Sequence, residues 1–444
     1  MEFTGQQSFG KFLIVWFGQL ISTIGIGLTT FSLGVYAFEQ TSTATAATAV
    51  ALITLFTFLP NILLRPIGGV LADRYDRRTM MVIGDLGSAT GLLFILAMIM
   101  TGHIEVWHIY VGVAFSSVFS AIQSPAYKAS ATDLLAKEQF SKGSGLLQLA
   151  ESSKFLLSPI IAGILLTITS IEVILIINMF TFLIAILAVL VIRRSTKVDR
   201  DVREEKPWFT DLIEGWLEVT TNKGVLLLVI IISMVTFYLG FLETLIGPMI
   251  LSFSDVKTLG MFQSISAIGM LISSLCIGIF TMTKKYASVL VIGLVMSGVS
   301  FSLIGVSTNL YFIIFAGFLF LASLPFVNMS ADVLVRNNIA NDKQGRVWGI
   351  IGILSQLGFI VSYSLAGFLA DHVFNPLLVE GGALSTTVGS VIGVGPGRGI
   401  ALLFIIGGVF VVILAVITSR LKPIKLLEHG MEMLPAEPVG LIQD

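Results

Sequence analysis

Few residues of this chain could do chemistry, and two groups stand out by their spacing. The first is the run Gly68-Gly69-Val70-Leu71-Ala72-Asp73-Arg74-Tyr75-Asp76-Arg77-Arg78. Its glycines let a neighbouring helix approach closely. The Asp73 carboxylate, followed by Arg74, Arg77 and Arg78, can accept from a helix N-terminus or pair with a guanidinium. Such a contact can break and re-form, which makes it a latch. The alternative is that the arginines only anchor the chain at a membrane face. The Gly-to-Asp spacing favours the latch.

The second group is Glu151 with Lys154 and Gln148. Glu151 stands nine residues after Lys142 in an otherwise apolar stretch, roughly 14 Å along a helix. Lys154 shares its face, and Gln148 extends the polar stripe. A mutually neutralising pair and a titrating carboxylate both fit that spacing. Glu243 has no charged neighbour on its own segment, so it either takes up protons near a cavity mouth or reaches water. Asp85 is expected to pair with a loop arginine, and Gln19 to line a cavity.

Composition decides which elements hold these residues. Of 444 residues, 55% are hydrophobic and 12% charged, and mean hydropathy is +0.95. A soluble domain carries about 25% charged residues. Soluble enzymes, disulfide scaffolds and disordered chains are excluded. Cys276 is the single cysteine and forms no internal bridge. A net charge of −1 gives no sign of nucleic acid as a partner.

Apolar stretches long enough to cross about 30 Å of hydrocarbon fall near 11–38, 45–72, 79–100, 105–128, 142–168 and 172–192. Six more fall near 225–250, 258–281, 287–306, 310–333, 346–370 and 399–420. Their continuous apolar text predicts helices rather than a barrel. Of 26 Lys and Arg residues, 22 lie in segments on the side of the N-terminus; Lys257 and Arg398 lie on the other side. The positive-inside rule then places both termini in the cytoplasm.

Residues 193–224 carry seven basic and seven acidic side chains. They divide the chain into a bundle over 1–192, a linker, a bundle over 225–420 and a tail over 421–444. Within the linker, Pro207, Trp208, Phe209, Leu212, Ile213, Trp216 and Leu217 oppose Asp211, Glu214 and Glu218. This predicts an amphipathic tether at the interface. The halves also echo each other. Pro125, Ser130, Ala131 and Leu134 recur 200 residues later, and Gly145, Ala162 and Gly163 recur 204 residues later. A parallel repeat of six-helix units is a transporter signature.

Gly69-x-x-x-Asp73-Arg74-x-x-Arg77-Arg78 resembles the loop 2–3 signature of the major facilitator superfamily, with Asp76 where that signature often has glycine. Trp16-Phe17-Gly18-Gln19, Gln123-Ser124-Pro125-Ala126-Tyr127, Glu214-Gly215-Trp216 and Gly395-Pro396-Gly397-Arg398-Gly399 are similar to the third drug:proton antiporter, macrolide-efflux-like family. Pro159 with Gly163 resembles that superfamily's span 5 antiporter motif in weakened form. The fold class so implied is an all-α polytopic membrane protein, with twelve helices in two pseudo-symmetric bundles. The function implied is export of amphipathic or hydrophobic compounds across the plasma membrane, with proton antiport, by a monomer. Asp73 and its arginines would gate the cytoplasmic side. Glu151, then Glu243, would carry the proton.

A lipid or siderophore exporter of the same fold is the alternative, and a non-transporting receptor the next. Walker-type and His-Glu-x-x-His text is absent, so neither an enzyme nor a cofactor or metal site is expected.

Overall fold

The computed structural model describes residues 8–136, 139–193, 208–279, 285–340 and 343–429. Among the described residues, twelve helical spans are long and apolar enough to cross a membrane. The first half comprises α1 (Phe9–Gln40), α2 (Ala46–Arg74), α3 (Arg77–Met100) and α4 (Val106–Leu134). It continues with α5 (Phe140–Leu156), α6 (Ser158–Ile168) and α7 (Ile171–Arg193). Helix α8 (Trp208–Thr221) lies in the linker. The second half comprises α9 (Lys223–Leu251), α10 (Val256–Ile279), α11 (Tyr286–Val306) and α12 (Leu310–Arg336). There follow α13 (Gln344–Phe368), two single turns α14 (Asn375–Leu378) and α15 (Gly389–Ile392), then α16 (Arg398–Arg420) and α17 (Lys422–His429).

Short polar residues in the turns set where helices begin. Asp76 Oδ1 accepts from the Thr79 N–H at 2.7 Å and caps α3. The residue that departs from the loop signature is therefore a helix cap. Asn222 caps α9 and Asn309 caps α12 in the same way. Asp255 accepts from the Thr258 N–H ahead of α10, and the hydrogen bonds from Thr258 hold its carboxyl below the usual carboxylate range.

Two expected spans differ in detail. The stretch over 142–168 is interrupted at Leu157, because Pro159 sits in the first turn of α6 and cannot continue a hydrogen-bonded helix from α5. The stretch over 346–370 runs on to Leu378 through a π-helical turn, Leu369–Phe374. Such turns insert one extra residue and often mark functional sites.

The repeat is visible in burial. Pro125 and Pro325 both lie inside long helices, and Ser130, Ala131 and Leu134 are buried like Ser330, Ala331 and Leu334. The second bundle is centred on Phe301, whose ring stands 5.2 Å from Phe320 and 5.0 Å from Phe404. In the first, Ile95, Ile109 and Leu175 are wholly buried. The linker helix pairs its acidic side with α13: Glu214 bonds Arg346 and Glu218 bonds Lys343 at 2.9 Å. A side chain at Gly215 would strike the Arg346 carbonyl, so glycine is required for that approach. Ile213, Trp216 and Leu217 stay exposed. The side chains of Trp208, Phe209, Asp211 and Leu212, and all of Pro207, lie outside the described residues.

Candidate functional site

The cleft between the bundles gathers the polar and aromatic residues that matter. Helix α1 starts and α16 ends on one face of the bundle, and the cleft is sealed at the other. There α13 meets α2: a side chain at Gly367 would run into Ala47, Thr48 and Ala51. Asp371 Oδ2 accepts from the Thr48 N–H at 2.7 Å and from Thr48 Oγ1 at 2.8 Å. At the symmetry-related crossing, Gly163 of α6 lies against Val256 and Gly260 of α10, and Gly260 lies on the Pro159 carbonyl. Pro159 and Gly163 thus form a close helix crossing. Gly163 and Gly367 are partners in the repeat, so one text makes both seals.

Below the seal, Phe58 of α2 stands edge-on to Tyr363 at 5.1 Å and 5.4 Å from Phe359. Tyr363 is 2% exposed, and its hydroxyl donates to Glu243 Oε2 at 2.6 Å. Glu243, twenty residues along α9, remains exposed. Toward the face where α1 starts and α16 ends, the bundles part. Gly69 of α2, Gly145 of α5, and Gly349 and Gly352 of α13 have only open space within 4 Å of where a methyl side chain would stand. Leu149 of α5 and Leu275 of α10 are exposed on this stretch.

The other expected residues fall in three places. Glu151 and Gln148 are exposed on α5. Of the two arrangements the spacing allows, the Glu151–Lys154 ion pair does not form; the Lys154 ammonium stands 5.8 Å from the Phe155 ring centroid. Gln19 does not line the cleft. It is 4% exposed, donates to Asp85 Oδ2 at 3.4 Å and accepts from Gln123 Nε2 at 2.7 Å. Asp85, 3% exposed, therefore bonds an amide instead of a loop arginine. A buried polar group must find its partner on whichever helix faces it.

The arginines of the loop run are used inside the first bundle. Arg77 Nη1 donates to Asp133 Oδ1 at 2.7 Å and to the Ala129 carbonyl at 2.8 Å; its Nε donates to the Ala72 carbonyl at 3.3 Å. Arg78 is buried and donates to the Ile192 carbonyl at the end of α7. Helix α2 ends at Arg74. Gly68, rather than Gly69, makes the close approach, because a side chain there would strike the Ala121 carbonyl of α4. The Asp73 side chain lies outside the described residues.

Sequence reasoning missed Asp133, Tyr363, Phe58 and Asp371. A signal for the last was present: Gly367-Phe368-Leu369-Ala370-Asp371 repeats the pattern of Gly69-Val70-Leu71-Ala72-Asp73.

A family model described as Major Facilitator Superfamily matches residues 15–362. Macrolide efflux protein A of Streptococcus pyogenes is 26% identical over 369 residues, covering 82% of this chain and 90% of that protein. Macrolide efflux protein A of Enterococcus faecalis is 28% identical over 310 residues, covering 68% of this chain and 95% of that protein. Among solved structures, a bacterial homologue of the human lysosomal transporter Spinster, inward-facing and unoccupied, superposes with TM-score 0.68 at 14% identity over 97% of this chain and all of that one. An inward-facing bacterial homologue of ferroportin superposes with TM-score 0.65 at 14% identity, over 94% of this chain and all of that one.

Proposed function

The chain belongs to the Major Facilitator Superfamily, and we propose that it exports amphipathic, largely apolar compounds by alternating access, driven by inward proton flow. It is a multi-pass membrane transporter and not an enzyme. The positive-inside bias supports a cytoplasmic location for the face where α1 starts and α16 ends. The parted end of the cleft then opens to the cytoplasm and the sealed end lies outside. Cargo enters from the cytoplasm or the inner leaflet past Leu149 and Leu275. Rocking of residues 1–192 against 225–420 about the linker opens the seals at Gly367 and Gly260 and releases cargo outward. The macrolide-efflux relatives support export as the direction and a large amphiphile as the cargo.

The observation that carries this reading is the Tyr363–Glu243 bond with Phe58 packed on its edge. Glu243 and Tyr363 belong to the second bundle and Phe58 to the first. Parting the outer seal withdraws Phe58 and changes which side of the membrane reaches the carboxylate. That gives Glu243 the alternating access a proton carrier needs. Glu151, in the open vestibule, is the second carrier site in this scheme. In it Asp73 and Arg74 act at the cytoplasmic face, while Arg77 and Arg78 hold the loop in place.

Inside-out vesicles with an acidic lumen and a radiolabelled macrolide test the scheme. Glu243→Gln is expected to abolish gradient-driven uptake while leaving exchange of macrolide across the membrane at equal pH. Gradient-driven uptake that survives in this variant sinks the carrier assignment. No uptake of any macrolide by the native chain sinks the cargo.

A further inference from the structure

Arg65 has no task in this scheme. It lies on α2 nine residues before that helix ends at Arg74, about 13 Å along the axis and within the span. It also belongs to a stripe. Ala51, Phe58 and Arg65 recur at seven-residue spacing, a rotation of about 20° per step, so they share one face of α2. Ala51 meets Gly367, and Phe58 meets Phe359 and Tyr363, all on α13 of the other bundle. The same face carries Arg65 toward the cleft, one step further in, where the bundles have parted.

The guanidinium is exposed, and its hydrogen bond runs from Nη2 to Ser124 Oγ at 3.3 Å. Among the described residues no carboxylate pairs with it. Placing an arginine in a span costs about 3 kcal/mol, and here no counter-ion offsets that cost. An arginine facing lipid could snorkel to the headgroups; this one is on the cleft face. On α13, one turn inward of Phe359, Gln356 Oε1 is buried without a partner. Among the described residues the parted cleft therefore holds a cation without a counter-ion on one wall, and the Gln356 amide on the other.

We propose that Arg65, with Ser124 beside it, is an oxyanion-recognition subsite, so that amphiphiles bearing a carboxylate or phosphate group on an apolar body are among the cargo. The planar guanidinium matches either oxyanion through paired N–H donors. The Ser124 hydroxyl, now accepting from Arg65, is free to turn its own proton to the same anion. Phe58, two turns along the same face of α2, and Phe359 across from it receive the apolar portion. The proposal rests on the reading that this cleft carries cargo.

The oxyanion has two sources, a free amphipathic carboxylate or a phospholipid headgroup, and two arms separate them. The full-length protein in phosphatidylcholine nanodiscs is titrated with a fluorescent long-chain carboxylate and with its methyl ester. The acid is expected to bind about tenfold tighter, the factor of one charge-assisted hydrogen bond at a wet site. Arg65→Gln should bring that ratio to about one while keeping the ester affinity, and Arg65→Lys should retain part of it. In the second arm, added phosphatidylglycerol raises the melting temperature of the native protein but not of Arg65→Gln if a headgroup is the occupant.

Ser124→Ala, with a smaller loss in the same direction, keeps the test alive if the arginine variant misfolds. An acid-to-ester ratio near one in the native protein, with no Arg65-dependent lipid effect, overturns the proposal. A ratio unchanged in Arg65→Gln does the same. Binding and transport of the neutral ester without discrimination would remove this subsite alone. Failure to transport either compound, despite binding, would strike the exporter reading instead.

Discussion

Replacing Asp371 by alanine should open the sealed end of the cleft. Asp371 lies on the π-helical turn after α13 and is 6% exposed. Its Oδ2 accepts two hydrogen bonds from Thr48, on the opposite bundle. Helix α2 receives no side-chain cap from its own N-cap residue, Thr45. Asp371 therefore caps α2 from across the seam, with the favourable sign for the helix dipole. Each charge-assisted bond contributes about 1.5–3 kcal/mol, and the two share one oxygen and give way to water when the end opens. A net preference of about 2–3 kcal/mol for the sealed arrangement follows, or roughly a hundredfold in population.

Spin labels at the exposed positions Thr43 and Glu380, in a Cys276→Ser background, report the separation by pulsed EPR. The native chain should give one short distance and Asp371→Ala a predominantly longer one. Asp371→Asn, which keeps an acceptor but loses the charge, should fall between. Thr48→Val should show about half the effect of alanine, because one of the two bonds survives. Identical distance distributions in native and Asp371→Ala protein would refute the reasoning that this contact holds the end shut.

Gly260→Val should halt export while leaving membrane insertion intact, since the new side chain meets the Pro159 carbonyl across the other seal; vesicle uptake and expression in the membrane fraction check the two halves of that statement. A double-mutant cycle on Arg77 and Asp133, read by thermal unfolding in detergent, should return a coupling of about 1–2 kcal/mol. Arg77→Lys should recover less than half of it, because a single ammonium cannot replace the Asp133, Ala129 and Ala72 bonds at once.

The spans were legible in the sequence because insertion into hydrocarbon requires long apolar runs with few charges. The repeat was legible too, down to the equivalence of Gly163 and Gly367. Partners between helices were not. Spacing along a helix shows that Glu151 and Lys154 share a face, yet says nothing of whether that face meets lipid or an open cleft. For the same reason Asp85 looked as if it needed an arginine, when Gln19 of α1 stands opposite it. Asp371 escaped notice although its text matches that of Asp73. A parallel repeat aligns span 2 with span 8 and span 5 with span 11, so the likeness between spans 2 and 11 falls off that register.

That likeness connects the two ends of the cleft. Helices α2 and α13 run antiparallel along one seam, and each finishes on Gly-x-Leu-Ala-Asp, although α13 continues into its π-helical turn. Each also starts without a side-chain cap from its own N-cap residue, Thr45 for α2 and Lys343 for α13. At the sealed end Gly367 packs against α2 and Asp371 caps it. At the parted end the glycines that would permit the same approach, Gly69 on α2 and Gly349 and Gly352 on α13, have open space beside them. Two stiff helices touching at Phe58 and Tyr363 in mid-seam close at one end only by opening at the other. The proposed scheme puts Asp73 to work at the cytoplasmic face, where α13 starts. A contact made there when that end shuts would oppose the one Asp371 makes at the sealed end, and the two would offset each other. A transporter needs that near-balance, because a gradient of a few kcal/mol can then tip the cleft either way.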